Sequence, residues 1–296
     1  MTQSHPAPKR IGRRSDGKGT FIVTGASGFV GRHLVGRLIS LRHRVHALSL
    51  SNGFDVRTDE LPDGSIDHVF HLAARIGVAE AWQDPFSFFE TNALGTFRLL
   101  DQCRRRGYPA CYLSSFLYGG DASAGGKETD AIKLDNPYAF SKYIGEQICG
   151  FFGSHFGSKT VMLRPANIYG PGQGSNFLIP HVISQLIDEQ TSEILVQDLA
   201  PRRDYIHVDD VVDGMLLSMK ATAGSIFNLG SETSYSVEEI VRCACRLAKT
   251  LPRDWQAQAA RVSNSRMDAT AARRILGWEP KVSLERGLQS VIESMR

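Results

Sequence analysis

Two groups of residues have the types and spacing to do chemistry. Tyr138-Ala-Phe-Ser-Lys142 sets a phenol and an ammonium four residues apart, so a helix carries both on one face. Ser114 and Ser115 close a short apolar run and place hydroxyls where a parallel sheet exposes its ligand side. A phenol, an ammonium and a hydroxyl together can move a proton while a hydride leaves or enters carbon. The Lys142 charge lowers the phenol pKa, Tyr138 takes the proton of a substrate hydroxyl as general base, and a serine stabilises charge developing on that oxygen. A packed tyrosine beside a snorkelling lysine is the non-catalytic alternative.

Hydride chemistry needs a carrier, and a second motif fits one. Gly25, Gly28 and Gly31 have the spacing G-x-x-G-x-x-G, in the run Gly25-Ala-Ser27-Gly28-Phe29-Val30-Gly31. The β-rich Phe21-Ile-Val-Thr24 precedes it, and a helical pattern through Leu34, Val35, Leu38 and Leu41 follows. In that context the first glycine permits a tight turn and the second lets backbone N–H groups approach a pyrophosphate. The third allows close helix–strand packing, with the helix N-terminus adding partial positive charge. The expected cofactor is NAD or NADP. NAD-binding folds place a carboxylate on the ribose at the end of the second strand, and Ser49 stands there. Arg44 and Arg57 are nearby, but neither obviously awaits a 2′-phosphate. Asp55 and Val56 are candidates for an adenine contact, or an ordinary exposed turn.

These residues need a scaffold that brings strand ends together. Residues 44–50, 66–72, 110–113 and 159–163 read as further strands, alternating with helices over 85–106 and from Pro137. That alternation predicts an α/β fold, a Rossmann-type doubly wound parallel sheet. After Arg164 the elements shorten, and a last helix is expected over 284–295. The expected division is a basic tail at 1–19 and a dinucleotide-binding domain at 20–165, with 202–230 returning to it. Residues 166–201 and 231–296 are expected to form a smaller C-terminal α/β substrate-binding lobe.

Composition narrows the class. The 296 residues are 42% hydrophobic and 22% charged, enough for a full core without disulfide or metal staples. A disordered, collagen-like or coiled-coil chain is excluded. The net charge of +3 is unevenly placed: Lys9, Arg10, Arg13, Arg14 and Lys18 against Asp16 give residues 1–19 a local +4, leaving −1 elsewhere. So small a charge reads as a solvated leader rather than a nucleic-acid or membrane arm, and it lacks the apolar stretch of a secretory signal. No run of about 18 apolar residues occurs, so no membrane span is expected. Cys103, Cys111, Cys149, Cys243 and Cys245 have no metal-ligand spacing and read as reduced thiols of a cytoplasmic protein.

With these motifs in order, the chain from about residue 20 to 296 resembles the extended short-chain dehydrogenase/reductases, specifically the nucleotide-sugar epimerase/dehydratase group. The resemblance rests on the glycine loop, His71-Leu-Ala-Ala74, Asn92-Ala-Leu-Gly-Thr96, Ser114-Ser-Phe-Leu-Tyr118-Gly and Tyr138-x-x-x-Lys142. It continues through Leu163-Arg-Pro-Ala-Asn167-Ile-Tyr-Gly-Pro-Gly172, Arg203-Asp-Tyr-Ile-His207-Val-Asp-Asp210 and Leu276-Gly-Trp-x-Pro280. It implies cofactor contacts from Leu72, Ala73, Ala74 and Asn92 in addition to the glycine loop. It further implies that the catalytic hydroxyl lies four residues before Tyr118, at Ser114, with Ser115 as the fallback and a substrate contact. Asn167 and Asn176 would meet a nucleoside diphosphate, with Arg203 and Arg261 as its phosphate-binding arginines. Two helices, over 85–106 and from Tyr138 to His155, would pair with those of a second copy in a homodimer.

The resemblance also separates reactions. Dehydratases of the group carry an Asp-Glu pair directly after the catalytic hydroxyl residue. Counted from Ser114, those positions hold Ser115 and Phe116. Phe116 also stands where related 3,5-epimerase/reductases have a cysteine. Chemistry at C4 alone is therefore expected: a nucleotide-sugar 4-epimerase, with a 4-keto reductase as the alternative. A 4,6-dehydratase and a non-catalytic dinucleotide sensor are disfavoured, the latter by the intact Tyr138, Lys142 and Ser114.

Overall fold

A computed structural model describes residues 18–118, 122–188, 191, 193–249, 255–256 and 263–296. The basic tail up to residue 17, and Arg261, lie outside them.

Chain order begins with β1 (Thr20–Thr24), α1 (Phe29–Ser40), β2 (Arg44–Leu48) and β3 (His68–His71). Next come α2 (Val78–Gln83), α3 (Pro85–Phe89), α4 (Gly95–Arg106), β4 (Ala110–Leu113) and β5 (Ala122–Gly126). The long α5 (Pro137–Phe156) leads to β6 (Thr160–Pro165), β7 (Asn167–Tyr169), α6 (Leu178–Ile187) and β8 (Ile194–Leu195). The remainder is β9 (Arg202–His207), α7 (Val208–Ser218), β10 (Ile226–Leu229), β11 (Ser234–Ser236), α8 (Val237–Ala248), β12 (Trp255–Gln256), β13 (Asn264–Met267) and α9 (Leu284–Met295).

Six strands form one parallel sheet in the order β10-β6-β4-β3-β1-β2. It is the expected Rossmann-type sheet. Both faces are covered, which is why β3 and β4 are buried at every residue instead of alternating. One face packs Leu34 and Leu38 of α1 with Val211 and Met215 of α7. The other packs Leu99 and Cys103 of α4 with Cys149 and Phe152 of α5. Each such fully buried side chain contributes about 1.5–3 kcal/mol relative to its exposed state. The chain runs outward from β1 to β2, then crosses back to β3. A crevice therefore opens beyond the C-terminal ends of β1 and β3, the usual ligand position in such sheets.

A second sheet has the order β11-β9-β13-β5, with β7 also paired to β9. Beside it α6, α8 and α9 close a separate core around Val182, Ile240 and Leu288. The segment 202–230 divides between the sheets: β10 completes the first, while β9 lies in the second.

The helix expected over 85–106 is continuous but not uniform. Residues Glu90–Leu94 form a π-helical turn between α3 and α4. This widened turn holds Asn92, whose amide oxygen accepts from Arg75 N at 2.8 Å and whose nitrogen donates to Arg75 O at 3.0 Å and Ser141 Oγ at 2.9 Å. Such single turns inside α-helices recur at functional sites.

Candidate active site

A cavity of about 620 Å³ occupies the crevice and runs from the glycine loop to the second lobe. Gly25 turns with φ +69°, and a Cβ there would sit 2.7 Å from Ala73 N. A Cβ on Gly31 would overlap the Gly25 carbonyl, so these two positions tolerate no side chain. Gly28 is the N-cap of α1, with no side-chain cap and no acidic residue in the first turn. The N–H groups there are left for an anion, as a bound pyrophosphate requires. Gly25, Ser27, Gly28, Phe29, Val30 and Gly31 all line the cavity.

Farther along the wall stand Ser49, Asp55 and Val56, then Leu72, Ala73 and Ala74 beyond β3. Ser49 is buried, with its hydroxyl 3.0 Å from Ser51 Oγ. Asp55 is gripped by Arg57 in a bidentate pair, Nη2 to Oδ2 at 2.7 Å, which holds its carboxyl below the usual carboxylate range. Arg57 is thereby occupied. The Ala73–Ala74 wall is fixed from behind: Thr24 and Thr96 hydroxyls meet the two nitrogens of buried His71 at 2.8 and 2.9 Å. Burial, with the Lys142 charge adding, pushes His71 down to about 3, so it stays neutral. Asn92 does not line the cavity. It is buried behind it, clamping Arg75 to Ser141 as described above.

The reactive end is built by α5. Asn136 caps it through Ala139 N at 2.8 Å, Pro137 occupies the first turn, and Gly157 ends it in the left-handed conformation. Tyr138 and Lys142 both face the cavity, one helical turn apart. Lys142 Nζ lies 4.3 Å from the centroid of the Tyr112 ring. Burial lowers the Lys142 ammonium to about 8, with Cys149 and Glu146 acting in the opposite sense. Burial raises the Tyr138 phenol above its ordinary value, while a hydrogen bond with the Ser115 side chain lowers it. The expected depression of the phenol by Lys142 is not among the effects that act on it in the chain alone.

Both serines line the cavity, but they differ. Ser115 is the one whose side chain lowers the Tyr138 phenol. Ser114 Oγ is buried without a hydrogen-bond partner among the described residues. Counting back from Tyr118 selects Ser114 with Ser115 as the fallback, and both stand in the cavity wall near Tyr138. The segment after β4 leaves the strand immediately, so successive side chains no longer alternate as on a pleat.

The residues expected to hold the other substrate end are less gathered. Asn167 lines the cavity and donates to Asp204 O at 3.0 Å. Asn176 is exposed and does not line it. Arg203 also lies off the cavity, its Nη1 donating to Arg202 O at 2.8 Å and Ser263 O at 3.2 Å. Arg261 falls outside the described residues. Lining groups not singled out from sequence include Arg75, Gln173, Phe177 and Tyr205. They come from loops and a strand of different lobes, with no spacing to announce them. Among the described residues no group of three or more His, Cys, Asp or Glu could hold a metal.

The model of the NAD-dependent epimerase/dehydratase family matches residues 21–230. The chain belongs to that family. Within it, the chain is 30% identical to the GDP-6-deoxy-D-mannose reductase of Pseudomonas aeruginosa, over 91% of this chain and 95% of that one. It is 29% identical to the UDP-glucose 4-epimerase of Mycolicibacterium smegmatis, over 93% and 98% of the two chains. The solved structure of RMD from Pseudomonas aeruginosa complexed with NADPH superposes with a TM-score of 0.86 at 28% identity, covering 94% of this chain and 98% of that chain. This family member is accordingly an NAD(P)-dependent enzyme of the epimerase/reductase group, and its cavity wall fits a nicotinamide dinucleotide.

Proposed function

We propose that the enzyme is a nucleotide-sugar 4-epimerase. The observation that carries this reading is one cavity holding both the glycine loop and the Tyr138 phenol with its Ser115 partner. A bound nicotinamide dinucleotide supplies the acceptor, and then the donor, of the hydride at C4. Tyr138 oxygen takes the proton of the C4 hydroxyl as that hydride leaves. The Lys142 ammonium favours the phenolate that does so. Ser115 donates to the substrate oxygen as its charge changes. With the sugar turned and its other face toward the bound dinucleotide, Tyr138 would give the proton back to the C4 oxygen.

After Ser115 come Phe116 and Leu117, both apolar and packed inward. No second acid/base pair stands beside the catalytic hydroxyl, so elimination across C5 and C6 is not supported. A second reading, a 4-keto reductase using NADPH, is favoured by Ser49. No carboxylate at that position repels a 2′-phosphate or accepts from a 2′-hydroxyl. The P. aeruginosa structure bound to NADPH lends it weight.

Asn167 is the residue best placed for the nucleoside diphosphate. Five buried cysteines outside any disulfide suit a reducing cytoplasm, and no described helix is long and apolar enough to cross a membrane. Exposed Trp82, Phe86, Phe97, Phe140 and Phe151 on α2–α5 support a homodimer through that face.

Product analysis tests the assignment with a panel of UDP-, GDP- and dTDP-hexoses and their 4-keto forms. Inversion at C4 without net dinucleotide change is the expected result. Stoichiometric NADPH consumption with a 4-keto substrate moves the assignment to the reductase. A 4-keto-6-deoxy product would overturn both.

A further inference from the structure

Tyr138 and Lys142 continue at the same spacing to Glu146, which lies on the same buried face of α5. Glu146 is joined bidentately to Arg164 of β6: Nε to Oε1 at 2.9 Å and Nη2 to Oε2 at 2.6 Å. Their side chains are only 1% and 4% exposed. Two charges this deep cost much to desolvate, and an apolar pair of similar volume would serve the fold as well. Retention of the pair at this place calls for another reason.

The guanidinium has one more nitrogen, and it reaches the segment that follows β4. Arg164 Nη1 donates to the Tyr118 hydroxyl at 3.0 Å and to Glu128 O at 3.3 Å. Tyr118 passes the chain on to Asn228 Oδ1 of β10 at 2.7 Å. Tyr118 ends the segment 114–118, three residues after Ser115. One guanidinium therefore ties the helix bearing Tyr138 and Lys142 to the segment bearing their hydroxyl partner.

Lys142 has no carboxylate within 4 Å among the described residues. The titratable or charged groups that act on it or face it are Tyr138, Glu146 and Cys149 of α5, Tyr112 of β4 and His71 of β3. Of these, Glu146 alone carries a negative charge at neutral pH.

We infer that Glu146 and Arg164 are positioning residues for hydride transfer. They hold Tyr138 and Lys142 against Ser115, and Glu146 keeps the Lys142 ammonium protonated. The inference rests on the reading of that site given above. Burial weakens the ammonium, and Glu146, one turn along α5, acts against that weakening.

The double variant Glu146→Leu/Arg164→Met removes both charges with little change in volume. Its melting temperature is expected to equal or exceed that of the native chain. Dinucleotide affinity is expected to hold while kcat falls about tenfold or more with KM little changed, since small misplacements carry such costs. The high-pH limb of kcat is expected at lower pH. An unchanged kcat with an unmoved limb overturns the inference.

Glu146→Gln supplies a milder second measurement, retaining the shape and a bond to Arg164. Its limb should move to lower pH and return with Glu146→Asp. A limb that stays put in Glu146→Gln also overturns the inference. Tyr138→Phe separates the two levels. Full activity in Tyr138→Phe removes the hydride-transfer reading itself. An inactive Tyr138→Phe beside an unperturbed Glu146→Gln removes the positioning role alone.

Discussion

The Ser115 side chain favours the Tyr138 phenolate against burial, while Ser114, one residue earlier, is buried with no hydrogen-bond partner for its hydroxyl among the described residues. The two serines should therefore separate cleanly on mutation. Ser115→Ala is expected to lower kcat by about 10²–10³, the cost of one donor to a charged oxygen. Ser114→Ala, which removes an unpaired buried hydroxyl, should keep kcat within a few-fold. Steady-state kinetics of the two variants at one pH decide it, and the reverse pattern would return the role to Ser114.

Removing the phenol oxygen tests the general base directly. Tyr138→Phe is expected to cost at least about 10²–10⁴ in turnover, the usual range for a positioned acid or base. Dinucleotide affinity, measured by fluorescence titration, should be retained, because the glycine loop and the Ala73–Ala74 wall are untouched.

The legibility of this site followed the chemistry of spacing. Tyr138 and Lys142 were readable because a helix puts i and i+4 side by side. The glycine loop was readable because steric exclusion at Gly25 and Gly31 leaves one residue type. The division of roles between Ser114 and Ser115 was less legible, because position relative to Tyr118 in an irregular segment does not determine how each hydroxyl is turned. Glu146 and Arg164 were missed for a different reason. They lie 18 residues apart on a helix and a strand, so only the packing of α5 on β6 brings them together. The parallel sheet was legible from apolar runs, but β5 (Ala122–Gly126) was not. Its Ala- and Gly-rich sequence has no strand pattern, and its partner β13 comes over 130 residues later.

Stability should depend on pH through two buried histidines. Burial lowers His68 to about 4 and His71 to about 3 from 6.5. Both stay neutral in the folded chain while the unfolded chain takes up protons below pH 6.5. Stability is thus full above that pH and is lost as pH falls, by about 1.4 kcal/mol per unit for each histidine until its folded value is reached. His68 Nε2 has no hydrogen-bond partner among the described residues, so His68→Leu gives up no such bond there. Urea melts should show His68→Leu near the native stability at pH 7.5 and ahead of it at pH 5. A native–variant difference that does not vary with pH would refute this.

The surface α1 pairing should respond in the opposite direction. His33 lies 3.8 Å from Asp209, and the bond to that carboxylate raises its pKa above 6.5. Its contribution is complete below pH 6.5 and disappears as pH rises through the folded value. Asp209→Asn should therefore cost more stability at pH 6 than at pH 9, where the Arg37 contact at 4.0 Å and the α7 N-terminus still favour the carboxylate, by thermal melts at both.

The aromatic face across α2–α5 predicts association. Trp82 and Phe86 are each more than 60% exposed. Light scattering should give twice the chain mass of 32.6 kDa. Phe97→Asp with Phe140→Asp should give monomers that still bind the dinucleotide.

The π turn at Glu90–Leu94 has a consequence for how this face is assembled. A wide turn absorbs one extra residue, so the helix before it and the helix after it keep the phase of ordinary winding. Deleting a neighbour of Asn92 there would restore that winding and leave Trp82, Phe86 and Phe89 where they stand relative to Phe97. Asn92 would lose the widened turn that aims it at both Arg75 and Ser141. A single missing codon would thus leave the aromatic face and every catalytic group in place while unlocking the wall beside the reactive end.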